Sequence, residues 1–144
     1  DLVLLVTTGT VTSAQIMARR LPDGVIHQFV PVDRPAWVRR FLDYWQPRVG
    51  VWAESDLWPV LVTEAKARGV RLALVDARMS DGAFRRWHRS GWLARPLFEA
   101  FETVLASSLA QADRFRALGC LDVRFVGNLK AAGAPPSRPS YMCA

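Results

Sequence analysis

The sequence predicts an α/β fold built on a doubly wound parallel sheet, and three observations carry that expectation. Six short apolar runs, at residues 2–6, 25–29, 49–53, 71–75, 103–106 and 123–126, recur at regular intervals. They are continuous rather than alternating, the pattern of strands buried on both faces. Segments with helical periodicity separate them, and strand–helix alternation with short loops favours right-handed parallel connections. The length, 144 residues, fits one domain.

Taken in order, residues 2–6 form the first strand and Thr7-Thr8-Gly9-Thr10 the turn after it. Thr12 or Ser13 then caps a helix that runs to Arg20. The strand at 25–29 leads through Pro31-Val32-Asp33 into a helix opened by Asp33 or Arg34, with Trp37, Val38, Phe41 and Trp45 on one face. The strand at 49–53 precedes Glu54-Ser55-Asp56 and a helix over 57–68, closed by Gly69. The strand at 71–75 is followed by Asp76-Ala77-Arg78. Residues 81–100 break the rhythm. Gly91 and Pro96 interrupt them, which predicts two short helices or a helix and an irregular loop. The strand at 103–106 leads to a helix over 108–118, opened by Ser107 or Ser108 and closed by Gly119. The last strand, 123–126, meets Gly127-Asn128-Leu129-Lys130. The domain is thus expected over 1–130, with residues 131–144, rich in Ala and Pro, as a linker or tail.

Composition narrows the function. Hydrophobic residues make up 51% and charged residues 22%, which excludes disordered and collagen-like chains. The net charge is +6, and of the 19 basic residues 17 are arginine and 2 lysine. Arginine forks bind oxyanions bidentately, so nucleic acid, an anionic membrane surface or a phosphorylated substrate each fit. Cys120 and Cys143 have no metal-ligand spacing, so neither a metal nor another cofactor is expected, and two isolated cysteines suit a reducing compartment. No apolar run reaches the ~18 residues of a membrane span. An apolar strand starting directly after Asp1 reads as a piece of a longer chain.

In open parallel sheets ligands bind beyond the carboxyl ends of the strands. Thr8, in a turn before a helix N-terminus, can help hold an anion, or the turn simply caps the helix. Glu54 and Asp56 lie two apart between a buried strand and a helix. An ionised carboxylate there can orient a hydroxyl or take a proton; Asp56 or Ser55 can equally serve as a cap. Trp58 reads as packing. Arg78 either meets an anionic substrate or shapes its loop with Asp76. Arg85, Arg86 and Arg89, interleaved with Phe84, Trp87, His88, Trp92 and Arg95, form a basic aromatic stretch suited to nucleic acid or a membrane interface, or to plain solvation. His27 reads as packing. Lys130, one of two lysines, offers a mobile point charge at the last strand end.

Taken together, Leu5-Val6-Thr7-Thr8, Pro31-Val32-Asp33, Glu54-Ser55-Asp56-Leu57-Trp58-Pro59, Asp76-Ala77-Arg78-Met79-Ser80 and Gly127-Asn128-Leu129-Lys130 resemble, in order and spacing, the N-terminal domain of the 3-deoxy-D-manno-octulosonic acid (Kdo) transferases. The resemblance spans about residues 2–130. It implies a Rossmann-like domain, the N-terminal half of a GT-B glycosyltransferase that transfers Kdo from CMP-Kdo to a lipid A precursor in lipopolysaccharide synthesis, with inversion. The enzyme would work peripherally at the cytoplasmic side of the inner membrane. The N-terminal half would hold the acceptor and the C-terminal half CMP-Kdo. The family's general base, in a Gly-Glu motif, would precede the first strand here, so this piece alone is expected to be inactive. By the same resemblance Glu54 and Lys130 are the candidate catalytic residues; Thr8, Asp56, Arg78, Arg85 and Arg86, read from the strand ends and the basic aromatic stretch, are the candidate substrate contacts. The alternatives are another GT-B glycosyltransferase or a nucleotide-sugar epimerase-like protein with a soluble acceptor. A basic nucleic-acid module is the alternative of a different class, but no recognition motif supports it, so nucleic acid is not an expected partner.

Overall fold

The computed structural model describes residues 2–54 and 57–127. These fall into two compact units, one ending at Trp45 and the other beginning at Gln46. The expected Asp56 and Lys130, and the expected linker, lie outside the described residues.

In the first unit, β1 (Leu5–Thr8) pairs in parallel with β2 (Ile26–Phe29), in register from Leu5 against Ile26 to Thr8 against Phe29. α1 (Val11–Arg20) begins earlier than expected. Its cap is Thr10, not Thr12 or Ser13: Thr10 has extended backbone, and its hydroxyl accepts from Ser13 N at 3.2 Å. An N-cap needs a non-helical backbone, and Thr12 and Ser13 are already inside the first turn. Arg19 and Arg20 close α1, where the helix dipole favours cations. α2 (Pro35–Trp45) opens on proline, whose fixed φ suits a first helical position. Val38 and Leu42, one helical turn apart, are buried, whereas Trp37 and Tyr44 are exposed. The apolar face therefore runs through Val38 and Leu42 and leaves out Trp37.

In the second unit, β3 (Val49–Ala53), β4 (Arg71–Ala77), β5 (Thr103–Ala106) and β6 (Val123–Phe125) form one sheet in that order, every pairing parallel. The α/β class and parallel strands are as the sequence predicts; the strands are shared between two sheets, one per unit. Leu72, Leu74, Val104 and Ala106 are buried along the central strands. α3 (Pro59–Ala67), α4 (Asp81–Arg89), α5 (Gly91–Glu99) and α6 (Leu109–Ala117) supply the rest of the core. Phe98 of α5 is fully buried, with its ring 5.6 Å from Trp87 of α4 and 6.1 Å from Phe115 of α6. Burying side chains of this size contributes about 1.5–3 kcal/mol each. In β3 the Trp52 ring lies across Gly50, where a Cβ would meet Trp52 Cζ3 at 2.6 Å.

The break within residues 81–100 falls at Ser90, between α4 and α5; α5 continues through Pro96. One helical hydrogen bond is lost there, and burial of Ala94, Leu97 and Phe98 on the same helix outweighs it. α6 is capped by Ser108, whose hydroxyl accepts from Gln111 N at 3.2 Å, and is followed by Gly119 at φ +109°.

Candidate functional site

The site grows from the carboxyl ends of β3 and β4. Glu54 directly follows β3, and its N–H continues the ladder by donating to Val75 O at 2.9 Å. Its φ is +62°, in the left-handed region. Asp76 has φ +50° and lies inside β4 rather than after it, a correction to the expected strand end. The reason is a bulge. Leu74 pairs with Val104 and Ala77 with Ala106, so β4 takes one residue more than β5 over the same span. Such an extra residue redirects a side chain and is a recurrent device beside functional sites. Non-glycine residues held left-handed cost about 1–3 kcal/mol each, and they persist where the surroundings over-determine them. Two of them flank one point here.

That point is Arg78. Its Nη2 donates to Glu54 Oε1 at 2.6 Å and lies 3.4 Å from Asp76 Oδ2. The hydrogen bond to Glu54, then the charges of Glu54 and Asp76, push the guanidinium above its ordinary pKa. Arg78 and Glu54 are roughly half exposed, and the Asp76 side chain is buried. The sequence left Arg78 between substrate contact and loop shaping; its strong bond goes to Glu54.

The loop after Arg78 is held from α6. Gln111 Oε1 accepts from Met79 N at 2.8 Å, and Gln111 Nε2 donates to Met79 O at 3.0 Å. Arg114 Nη1 donates to the same carbonyl at 2.6 Å. Arg114 also pairs with Asp81 and lies over the Phe84 ring. Sequence reasoning missed Gln111 and Arg114. The available signal was their three-residue spacing, which puts both on one face of α6.

Ser80 caps α4 by accepting from Ala83 N at 3.2 Å. Phe84 and Trp87 are half-buried along one side of α4, and Arg85, Arg86 and Arg89 are exposed. Beside them, at the start of α5, Trp92 is 80% exposed and Leu93 62%. An open cleft of about 520 Å³ runs between this region and the end of α6, lined by Trp87, His88, Trp92, Arg95 and Arg116 among others. The structure thus brings Glu54 and Arg78 together and sets Arg85 and Arg86 on the solvent side of the next helix. In the other unit, Thr8 Oγ1 and His27 Nε2 are hydrogen bonded at 2.9 Å, and the His27 ring meets Phe29 edge-on. His27 therefore does more than pack. Trp58 occupies the N-cap position of α3, half-buried and without a side-chain cap bond.

A family model described as 3-deoxy-D-manno-octulosonic-acid transferase (kdotransferase) matches residues 1–132. The chain belongs to the Kdo transferase family. Within that family it is 37% identical over 132 residues to the 3-deoxy-D-manno-octulosonic acid transferase of Rickettsia felis, covering 92% of this chain and 28% of that protein. It is 34% identical over 133 residues to the enzyme of the same name in Bordetella pertussis, covering 90% of this chain and 30% of the relative. With the Haemophilus influenzae transferase the identity is 25% over 126 residues, 86% of this chain and 30% of that one. The chain therefore corresponds to the N-terminal domain of a Kdo transferase and spans under a third of the length of these relatives.

Proposed function

We propose that residues 1–130 are the acceptor-binding half of a GT-B Kdo transferase, joined by the linker at 131–144 to a half that binds CMP-Kdo. The complete enzyme transfers Kdo to a lipid A precursor, peripherally at the cytoplasmic side of the inner membrane. The observation that carries this reading is the Glu54–Arg78 pair at the ends of two parallel strands, 2.6 Å apart, in a chain of this family. A strand-end crevice is where an open α/β sheet binds its ligand.

The chemistry is a displacement. An acceptor hydroxyl oxygen bonds to the anomeric carbon of Kdo as the bond to the CMP phosphate oxygen breaks, and CMP departs with that electron pair. The hydroxyl proton passes to the base carboxylate, which the resemblance assigns to a glutamate ahead of Asp1. Glu54 orients the hydroxyl and stabilises positive charge at the anomeric centre; Lys130 offsets the charge of departing CMP. Arg78, Asp56 and Thr8 contact the acceptor, and Arg85 and Arg86 meet its phosphates or the anionic bilayer.

The test is Kdo transfer by the full-length protein from CMP-Kdo to a lipid A precursor, wild type against Glu54→Gln. A loss of about a hundredfold in kcat in a folded mutant is expected. Transfer at the wild-type rate removes Glu54 from the mechanism, and a wild type active only on soluble acceptors replaces the lipid reading.

A further inference from the structure

We infer that Asp76 is a positioning residue, which holds Arg78 and through it Glu54 in the geometry the reaction uses. The inference rests on the role proposed above for Glu54.

Asp76 is 5% exposed. Neither of its carboxylate oxygens reaches solvent or finds a hydrogen-bond partner among the described residues. Two roles are thereby closed to it. It cannot touch a substrate, because nothing outside reaches its oxygens. It does not shape its turn in the usual way either, because an aspartate that does so accepts a backbone N–H two residues on. What remains within reach is charge: Arg78 Nη2, 3.4 Å away. The same nitrogen bonds Glu54 at 2.6 Å. A buried carboxylate on one side and a half-exposed one on the other fix a guanidinium that a single surface contact would leave mobile. The β4 bulge and the left-handed backbone at Asp76 aim the carboxylate there. The surroundings maintain a strained residue and a buried carboxylate with no hydrogen bond among the described residues, and both act on one arginine.

The experiment is a double-mutant cycle in the full-length protein: Asp76→Asn, Arg78→Ala and the pair. Asparagine keeps the shape and accepts left-handed backbone, so the substitution removes the charge and turns one acceptor oxygen into an NH2 donor. Kdo transfer is followed at saturating CMP-Kdo and across donor concentrations. Asp76→Asn is expected to lower kcat about tenfold, with donor KM moving less than about threefold. In the Arg78→Ala background it is expected to cost nothing further. Arg78→Lys, which keeps the charge, should retain more of kcat than Arg78→Ala. A wild-type kcat for Asp76→Asn overturns the inference. So does an equal loss with and without Arg78. If Asp76→Asn does not fold, Asp76→Gly, which adopts this backbone freely, is read in its place with the same outcomes. An impaired Glu54→Gln beside an unimpaired Asp76→Asn defeats the positioning role alone; an unimpaired Glu54→Gln defeats the reading of Glu54 first.

Discussion

Cys120 lies in the core of the second unit, its Sγ donating to Phe98 O at 3.4 Å. Burial pushes its thiol up to about 12 from an ordinary 9.0. The thiolate is the reactive form, so near pH 8 Cys120 holds on the order of a thousandfold less of it than an ordinary thiol. Iodoacetamide labelling of the native full-length protein, read by peptide mass spectrometry, should leave Cys120 unmodified until denaturant is added. Labelling of the native protein at the rate of a free peptide thiol would show that this core opens readily. At the same scale, much of the site was readable because strand ends are recognisable by composition: Glu54 and Arg78 were both singled out there. Their pairing was not readable. It depends on a bulge in β4 and on left-handed backbone at Glu54 and Asp76, and no glycine marks either position. The burial of Asp76 beside Arg78, with no hydrogen-bond partner among the described residues, follows from the same bulge and was equally invisible.

Elements were legible where apolar runs and caps coincide, as at Ser108 and Gly119 around α6. They were misjudged by a few residues where several hydroxyls compete, as at Thr10, Thr12 and Ser13, because local spacing does not say which residue keeps extended backbone. Pro96 misled for a different reason: propensity is local, whereas the burial that carries α5 through it is tertiary. Phe98 is the residue on which that burial depends, since its ring meets both Trp87 and Phe115. Phe98→Ala should therefore destabilise the fold by about 3–5 kcal/mol, whereas Ser108→Ala, which removes one cap, should cost about 1 kcal/mol. Chemical denaturation of the full-length variants measures both. Equal costs would mean that α5 is not held by Phe98. Asp122 gives a finer element-scale test at the foot of β6. Its carboxylate accepts from Arg124 and from Thr103, and the Arg124 hydrogen bond holds its pKa below the ordinary 3.8. A depressed carboxylate contributes stability above its unfolded pKa and loses it as pH falls through the folded one. The stability deficit of Asp122→Asn should thus be complete above about pH 5 and should vanish on acidification below the ordinary carboxylate range.

At the scale of the whole molecule, the net charge is +6, and three of its cations cluster on one helix, α4. Among the described residues no helix is long and apolar enough to cross a membrane. Yet Arg85, Arg86 and Arg89 are exposed on α4, next in the chain to the exposed Trp92 and Leu93 of α5. Cations beside exposed aromatic and aliphatic side chains suit a surface that carries phosphates over hydrocarbon. The two components make separable predictions. The arginine part is electrostatic and screened by salt; the Trp92 part is apolar and is not. In sedimentation of the full-length protein with vesicles of anionic phospholipid, replacing Arg85, Arg86 and Arg89 by glutamine should lower partitioning about a hundredfold at low salt. That difference should shrink steeply as salt rises. Trp92→Ala should lower partitioning by a smaller factor that salt leaves nearly unchanged. Neutral vesicles should show the tryptophan effect without the arginine effect. If the triple substitution leaves partitioning on anionic vesicles unchanged, α4 does not face the bilayer, and Arg85 and Arg86 are then to be sought in acceptor affinity, as a rise in KM for the proposed lipid A precursor with kcat preserved.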